Sequence, residues 1–432
     1  MARVAVQTKS TDSAYFESSA LLGALGVLQQ LDFKIDKRYE SSLPHCSLPH
    51  WNRIAHLEIF ATGGAKLYAT DLKRWVVIDL PCISAHRFSA LVHLGPDTLK
   101  AIRAQKRDQN GNVEFQLDYS SFFLSNTPIP ANCLCQIENL TVEEFEQPVF
   151  WPQKQSVSDI EAINSSTLLK ALDATSKSIR LPYEGNLDSV LHGLHVKKEK
   201  DGLVRFESTD GYRASMFYAE AKISREMLIP FSLVEMINAF RPIIAPNRDV
   251  IFSVRGDNNF LTQRDLACFF RIDTGWVKLV GTFDLDVGWE KDARIYGYPN
   301  FNAVTPKKRT CSNFKFFPRT LDSIVSSAIS SAKMRRPRKE LLDGEFSVFF
   351  EAKDSNVFVH HPKSCTTHIL CAFEGSERNK HFKTGFNPFY VLDAIRSFDV
   401  DTQVKAWLEP DGLGPLHLVG DGTEILLMPM RV

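Results

Sequence analysis

The chain of 432 residues is short of the features that usually place a protein quickly. It has no net charge. Acidic and basic residues balance at 51 each, so any positive surface must come from how the charges are placed. It has no Cys-x-x-Cys pair. The eight cysteines (Cys46, Cys82, Cys133, Cys135, Cys268, Cys311, Cys365 and Cys371) have spacings unlike a zinc site or a disulfide framework, which predicts reduced thiols and a cytoplasmic location. It has no apolar run of transmembrane length, which predicts no membrane partner. The longest run near the start, Ala20 to Leu28, follows Asp12 and Glu17, lacks a processing site and reads as part of a helix. No low-complexity segment occurs. With 44% apolar and 24% charged residues, a packed interior is expected and wholesale disorder is not.

Catalytic signatures are missing too. No Gly-x-Ser-x-Gly elbow, Walker loop or His-Glu-x-x-His occurs, so neither catalysis nor a metal or other cofactor is expected. His192 and His195 are three apart in a segment that reads as a strand, so they point to opposite faces and share a metal poorly, and the adjacent His360 and His361 meet the same difficulty. Asp71 and Asp210 end strands, where aspartate supports a turn. Gly420-Asp421-Gly422-Thr423 sits between two strands and reads as a hairpin turn, not a phosphate loop.

What is present is a plan that recurs three times: a helix, a basic loop, a strand-rich stretch, a second helix, more strands, and a proline-containing close. The first helices are expected at Ser18 to Leu31, Ser165 to Ser176 and Arg319 to Ala332, where apolar residues recur every three to four positions. The second helices are expected at Pro96 to Gln105, Phe231 to Phe240 and Pro388 to Phe398. Basic residues follow each first helix: Lys37 and Arg38, then Lys177 and Arg180, then Lys333, Arg335, Arg336 and Arg338. Strands in hairpin-like succession with two helices per stretch predict an α+β class of antiparallel sheets with helices packed on one face. The expected borders are 1–152, 153–306 and 307–432. A segment from about Thr274 to Arg294 is extra to the plan and has no assigned role.

Three segments carry a family resemblance. Ser208-Thr209-Asp210-Gly211-Tyr212-Arg213 is one, and Tyr298-Pro299-Asn300-Phe301 with Val304 and Pro306 is another. The third pairs Gly385-Phe386-Asn387 and Tyr390-Val391-Leu392-Asp393 with the closing Leu427-Met428-Pro429-Met430-Arg431-Val432. An apolar strand running into two methionines around a proline, with no polar tail, suggests a docked and used terminus, because methionine adapts to varied apolar partners. In order and spacing these segments resemble the bacterial DNA polymerase sliding clamp, the beta subunit of DNA polymerase III. The first 150 or so residues match in pattern only.

The resemblance implies three similar domains of antiparallel sheet plus two helices each, with two subunits closing head to tail into a ring around double-stranded DNA. Such a ring does no covalent chemistry. It tethers the replicative polymerase and other replication and repair proteins, and meets the polymerase and clamp loader through short linear peptides. By the family's motif the peptide cleft comprises Leu191, Thr209, Gly211, Tyr212, Arg213, Pro299, Val304, Tyr390, Met428, Pro429, Met430 and Arg431. Ala214 and Ala303 depart from the family's larger apolar and basic residues, which predicts a wider and less polar pocket. A sliding ring holds phosphates without reading bases, and the basic residues that follow the three first helices suit that task. The homodimer joint is expected from Phe122 and Leu124, on an edge strand of the first domain, meeting Ile329 of the third. Ser330 stands where an apolar residue is expected, and one such side chain is worth about 1.5–3 kcal/mol when buried. A dimer that opens readily, visible by sedimentation at falling concentration, is therefore expected. The competing reading is a clamp-shaped interaction protein that binds replication proteins without encircling DNA.

Overall fold

A computed structural model describes residues 12–30, 54–70, 74–84, 88–93, 99–100, 103–104, 109–110, 112–118, 121–124, 127–128, 160–180, 191–199, 201–223, 226–244, 248–255, 269–273, 277–282, 298–307, 311–331, 347–353, 355–362, 367–372, 382–409 and 411–430.

The second and third stretches follow one order of elements, and the described strands and first helix of the first stretch match it apart from a short extra strand, Cys82–Ser84; of the helix expected at Pro96 to Gln105, most residues lie outside the described set. In the first stretch β1 (Asp12–Glu17) enters α1 (Ser18–Gln30), and β2 (Ile54–Ile59), β3 (Ala65–Thr70) and β4 (Arg74–Leu80) form a meander. Short β5 (Cys82–Ser84), then β6 (Phe88–His93), β7 (Asn112–Asp118), β8 (Ser121–Leu124) and β9 (Thr127–Pro128) complete it. The second stretch runs β10 (Ile160–Asn164), α2 (Ser165–Thr175), β11 (Gly193–Lys198), β12 (Val204–Thr209), β13 (Arg213–Ala219), β14 (Met227–Pro230), α3 (Phe231–Phe240), β15 (Asp249–Arg255), β16 (Phe269–Asp273) and β17 (Val277–Thr282). The third runs β18 (Ser312–Phe316), α4 (Pro318–Ser331), β19 (Val348–Lys353), β20 (Asn356–His360), β21 (Thr367–Ala372), β22 (Lys383–Phe386), α5 (Pro388–Ile395), β23 (Val404–Leu408), β24 (Leu416–Gly420) and β25 (Thr423–Leu427).

Each stretch supplies two half-sheets, and the halves are shared across stretch borders. β4 of the first stretch pairs antiparallel with β17 of the second, Val77 opposite Lys278, in the order β10-β15-β16-β17-β4-β3-β2-β6. β13 of the second pairs with β25 of the third, Arg213 opposite Leu427, in the order β14-β11-β12-β13-β25-β24-β23-β18. Two smaller sheets remain, β5-β1-β7-β8-β9 and β21-β20-β19-β22. The supposedly extra segment from Thr274 therefore holds β17, the joining strand of the first large sheet; its residues beyond Thr282 lie outside the described set.

β8 is paired on both sides, by β7 and by β9, so it is not the edge strand expected from the sequence. The chain returns once more as β9, and that return takes the outer position. The final strand stops at Leu427 and does not run on to Met430, because Pro429 has no N–H to give to a ladder.

The chain divides into two compact units: Met1–Ser165 with Glu235–Asn258 and Asp265–Asp284, and Ser166–Val234 with Asn259–Arg264 and Leu285–Val432. The second unit contains both the β13–β25 sheet and the β21–β22 sheet. Its larger core places Leu321, Ile324, Val325 and Ala328, one face of α4, against Val391, Ala394 and Ile395 of α5 and the inward side chains of both sheets. That spacing is the helical period in which apolar residues at three and four positions share a side. Asn387 caps α5, accepting from the Phe389 and Tyr390 N–H groups at 2.9 and 3.4 Å, and Pro388 fills the first helical position, where no N–H is needed. β24 and β25 are joined by the two-residue turn Asp421-Gly422, both with positive φ, as a tight hairpin requires.

Candidate partner-binding site

The second unit gathers five of its segments around the start of β13. The first is the turn Thr209-Asp210-Gly211-Tyr212. Thr209 Oγ1 donates to the Arg213 carbonyl at 2.6 Å and accepts from the Gly211 N–H at 3.0 Å. Asp210 Oδ1 accepts from the N–H groups of Tyr212 and Arg213, both at 3.0 Å. These side-chain bonds satisfy the turn's backbone. Gly211 has φ +93°, where a side chain would be strained even though the space around it is open. The turn is thus built to hold Tyr212 and Arg213 at a fixed angle.

The closing tail lies beside this turn. Met428 donates its N–H to the Tyr212 carbonyl and Met430 donates to the Gly385 carbonyl, both at 2.9 Å. Ser347 Oγ donates to Met430 Sδ at 3.3 Å. Met430 is buried, whereas Met428 keeps 41% of its surface exposed. The tail is therefore docked, as expected, with one methionine as anchor and one facing outward.

Tyr390, in the first turn of α5, faces the same place. Its ring centroid lies 6.5 Å from that of Tyr212, and the Arg213 guanidinium carbon lies 4.3 Å from its centre. Arg213 also reaches three oxygen acceptors. Nε donates to Asp210 Oδ2 at 2.9 Å, Nη1 to Asp393 Oδ2 at 2.7 Å, and Nη2 to the Lys177 carbonyl. Burial works against the guanidinium's charge, but the two carboxylates outweigh it and raise its pKa further.

The fourth segment, Tyr298 to Pro306, packs on the β13–β25 pair. Phe301 is buried with Ala214, Met216 and Leu426. Ala214, expected to widen the cleft, is one of the residues packed under this strap. Val304 is 48% exposed and Pro299 half-buried. A charged cluster that the sequence reading missed supports the strap. His195 lies 2.7 Å from Glu207 and 2.5 Å from Glu226 through its two ring nitrogens. Arg205 Nε lies 2.9 Å from Glu199 and 2.8 Å from Glu207. The Tyr298 ring stacks on His195 with centroids 4.3 Å apart, and its hydroxyl donates to the Glu207 carbonyl at 3.1 Å. Burial, then the Glu207 charge, raises the Tyr298 pKa well above its usual range. The alternation of β11 and β12 held the available signal, since His195 sits directly opposite Glu207.

The fifth segment is the turn Ser176–Ser178 after α2. Ser178 Oγ and Ser215 Oγ are 2.6 Å apart, and Ser208 Oγ donates to the Thr175 carbonyl at 2.6 Å. Lys177 is exposed on this turn. Its amine pKa is lowered, first by partial desolvation and then by Arg396 and Arg213, against the opposing charges of Asp393 and Asp173. Arg180 donates its N–H to the Leu191 carbonyl at 3.1 Å, and both residues are half-buried. Thr209, Gly211, Tyr212, Arg213, Tyr390 and Met428 are thereby brought together. Asp393, which bridges α5 to Arg213, was not foreseen as a site residue. Lys37, Arg38, Lys333, Arg335, Arg336, Arg338 and Arg431 lie outside the described residues. In α4, Ile329 packs half-buried against the larger core. Among the described residues no group of three or more His, Cys, Asp or Glu could hold a metal, and no helix is long and apolar enough to cross a membrane.

No protein-family model and no curated protein matches the chain. Solved structures do. The DnaN sliding clamp (DNA polymerase III subunit beta) from Bartonella birtlesii, bound to griselimycin, superposes with a TM-score of 0.70 at 16% identity, covering 98% of this chain and 100% of that one. The DNA polymerase III subunit beta from Borrelia burgdorferi, in complex with a natural product, gives 0.69 at 13%, covering 97% and 98%. The DNA polymerase III beta subunit from Thermotoga maritima gives 0.66 at 14%, covering 98% and 100%. The chain has the α+β fold of these sliding clamps over nearly its whole length.

Proposed function

We propose that this chain is a sliding clamp: two copies close head to tail around duplex DNA and tether a polymerase and other replication proteins through the cleft around Tyr212, Tyr390 and Met428. In this reading it is a non-catalytic, cytoplasmic protein of three domains, 1–152, 153–306 and 307–432.

One observation carries the proposal. Twice within the chain, the third meander strand of one stretch pairs with the last strand of the next, β4 with β17 and β13 with β25. The third stretch ends this series with β21, an edge strand whose Ile369 is 60% exposed. The first stretch begins it with the β8–β9 side of its sheet, also an edge. Repeating the same joint between two copies uses both edges and closes the series without leaving either open, which answers the hazard of an unpaired strand. In that joint β21 meets the β9 side of the partner, with Phe122 and Leu124 one strand in and Ile329 alongside on α4.

The likeness to solved clamps supports the fold on which this rests. The cleft suits a short apolar peptide: an exposed methionine, two tyrosines and an exposed valine offer burial worth about 25 cal/mol per Å², and a few polar groups orient the ligand. Lys37, Arg38, Lys177, Arg180, Lys333, Arg335, Arg336 and Arg338 are the proposed phosphate contacts, and Arg431 belongs to the cleft by its place in the tail.

The test combines mass and topology. The protein sediments as a dimer and, once loaded, stays on circular duplex while sliding off linear duplex. Charge reversal at Lys177, Arg180, Arg335 and Arg336 abolishes retention on the circle. A monomer that shows no preference for circles, or unchanged retention in the reversed variant, defeats the proposal.

A further inference from the structure

We propose that Arg213 is not a ligand for the bound peptide but a positioning residue that fixes Tyr390 as one wall of the cleft. The inference rests on the partner-cleft reading above and goes beyond it by removing the most obvious cation from the binding surface.

The geometry points this way because the guanidinium is already engaged from every side. Its side chain is 10% exposed. Each of its three nitrogens donates to an oxygen of the protein: Asp210 in the turn, Asp393 on α5, and the Lys177 carbonyl after α2. One face is stacked over Tyr390, 4.3 Å from the ring centre. A planar guanidinium can meet two carboxylates and an aromatic face at once, whereas an ammonium cannot. Arg213 thus ties together three segments whose spacing sets the cleft: the Thr209–Tyr212 turn, the start of α5, and the Lys177 turn. Tyr390 neighbours both this cation and the Tyr212 ring. Asp210 and Asp393 more than offset the charge of Arg213, so this residue offers no unpaired cation beside Tyr212, Tyr390 and Met428.

The experiment measures binding of a labelled synthetic peptide with leucine and phenylalanine anchors to the full chain, by fluorescence anisotropy. Arg213→Met and Tyr390→Leu each weaken binding by about tenfold, the scale of a desolvated cation–ring contact. The double variant binds no more weakly than Tyr390→Leu alone, because both changes remove one wall. Arg213→Lys does not restore affinity. The losses are the same for a peptide with free carboxylates and for an amidated, neutral one. Additive losses, or an Arg213 effect that vanishes with the neutral peptide, mean that Arg213 touches the ligand directly and overturn the inference. Arg213→Met at wild-type affinity overturns it too. Should Arg213→Met fail to fold, Asp393→Asn keeps the shape and removes one brace; it weakens binding by about threefold through Tyr390, and unchanged affinity there is equally fatal. A wild-type chain that binds no such peptide defeats the cleft reading itself, which separates that failure from this one.

Discussion

Burial pushes the Cys82 thiol up to about 12, against a hydrogen bond from the Tyr15 backbone that acts the other way. The folded chain favours the neutral thiol. Cys82 therefore contributes its full share of stability below its ordinary value of 9.0 and loses it as pH rises from there towards about 12. It is also a poor nucleophile at neutral pH. Iodoacetamide at pH 7.5 is expected to leave Cys82 unmodified in the native protein and to label it after denaturation, read by peptide mass; rapid native labelling contradicts the burial. This inertness could not be read from cysteine spacing, which speaks only to pairs and metals. Other residues were more legible. Gly211 and Thr209 announce a turn by their types alone, because few residues accept φ +93° and few side chains cap a turn from within. Arg213 was foreseen as a cleft residue from its motif. Its anchorage on Asp393 was not, since 180 positions separate the two and no local pattern links them.

Among elements, those with chemical punctuation were placed well. α3 runs from Phe231 to Phe240 as expected, directly after the Pro230 that ends β14. α5 starts where Asn387 and Pro388 require, but it stops at Ile395 and not Phe398, the remainder being turn. β17 was missed because the repeat was aligned on its motifs and the residues between them looked surplus. β8 was misread as an edge because a strand's neighbours are fixed by register across the sheet, and a further return of only two residues, β9, gives almost no periodic signal. The tail carries the prediction at this scale. Deleting Met428 to Val432 removes two main-chain bonds to Tyr212 and Gly385 along with the buried Met430. The truncated chain should keep its helix and strand content by circular dichroism and lose peptide binding by at least tenfold, about 1.4 kcal/mol. Binding at full strength after truncation excludes the tail from the cleft.

For the molecule as a whole, the repeated order of elements was visible in the sequence, whereas the way the sheets are shared was not. Helix and strand periodicity is local, while the pairing of β4 with β17 spans about half the chain. That sharing bears on how the protein comes apart. The second stretch gives one half-sheet to the unit that holds β4 and the other to the unit that holds β25, and the unit borders run through it. Calorimetry is expected to show no more than two transitions; three would mean that each stretch melts alone. Limited proteolysis of the partly unfolded chain should likewise release fragments bounded near 165 or 285, not near 152 or 306. The segment that recurs in the gene and the segment that acts as one body under heat are then different objects. A copy cut out at its repeat borders would keep the core between its two helices and its half-sheets but leave two raw sheet margins, so recombination among such copies succeeds best where both neighbours are carried along.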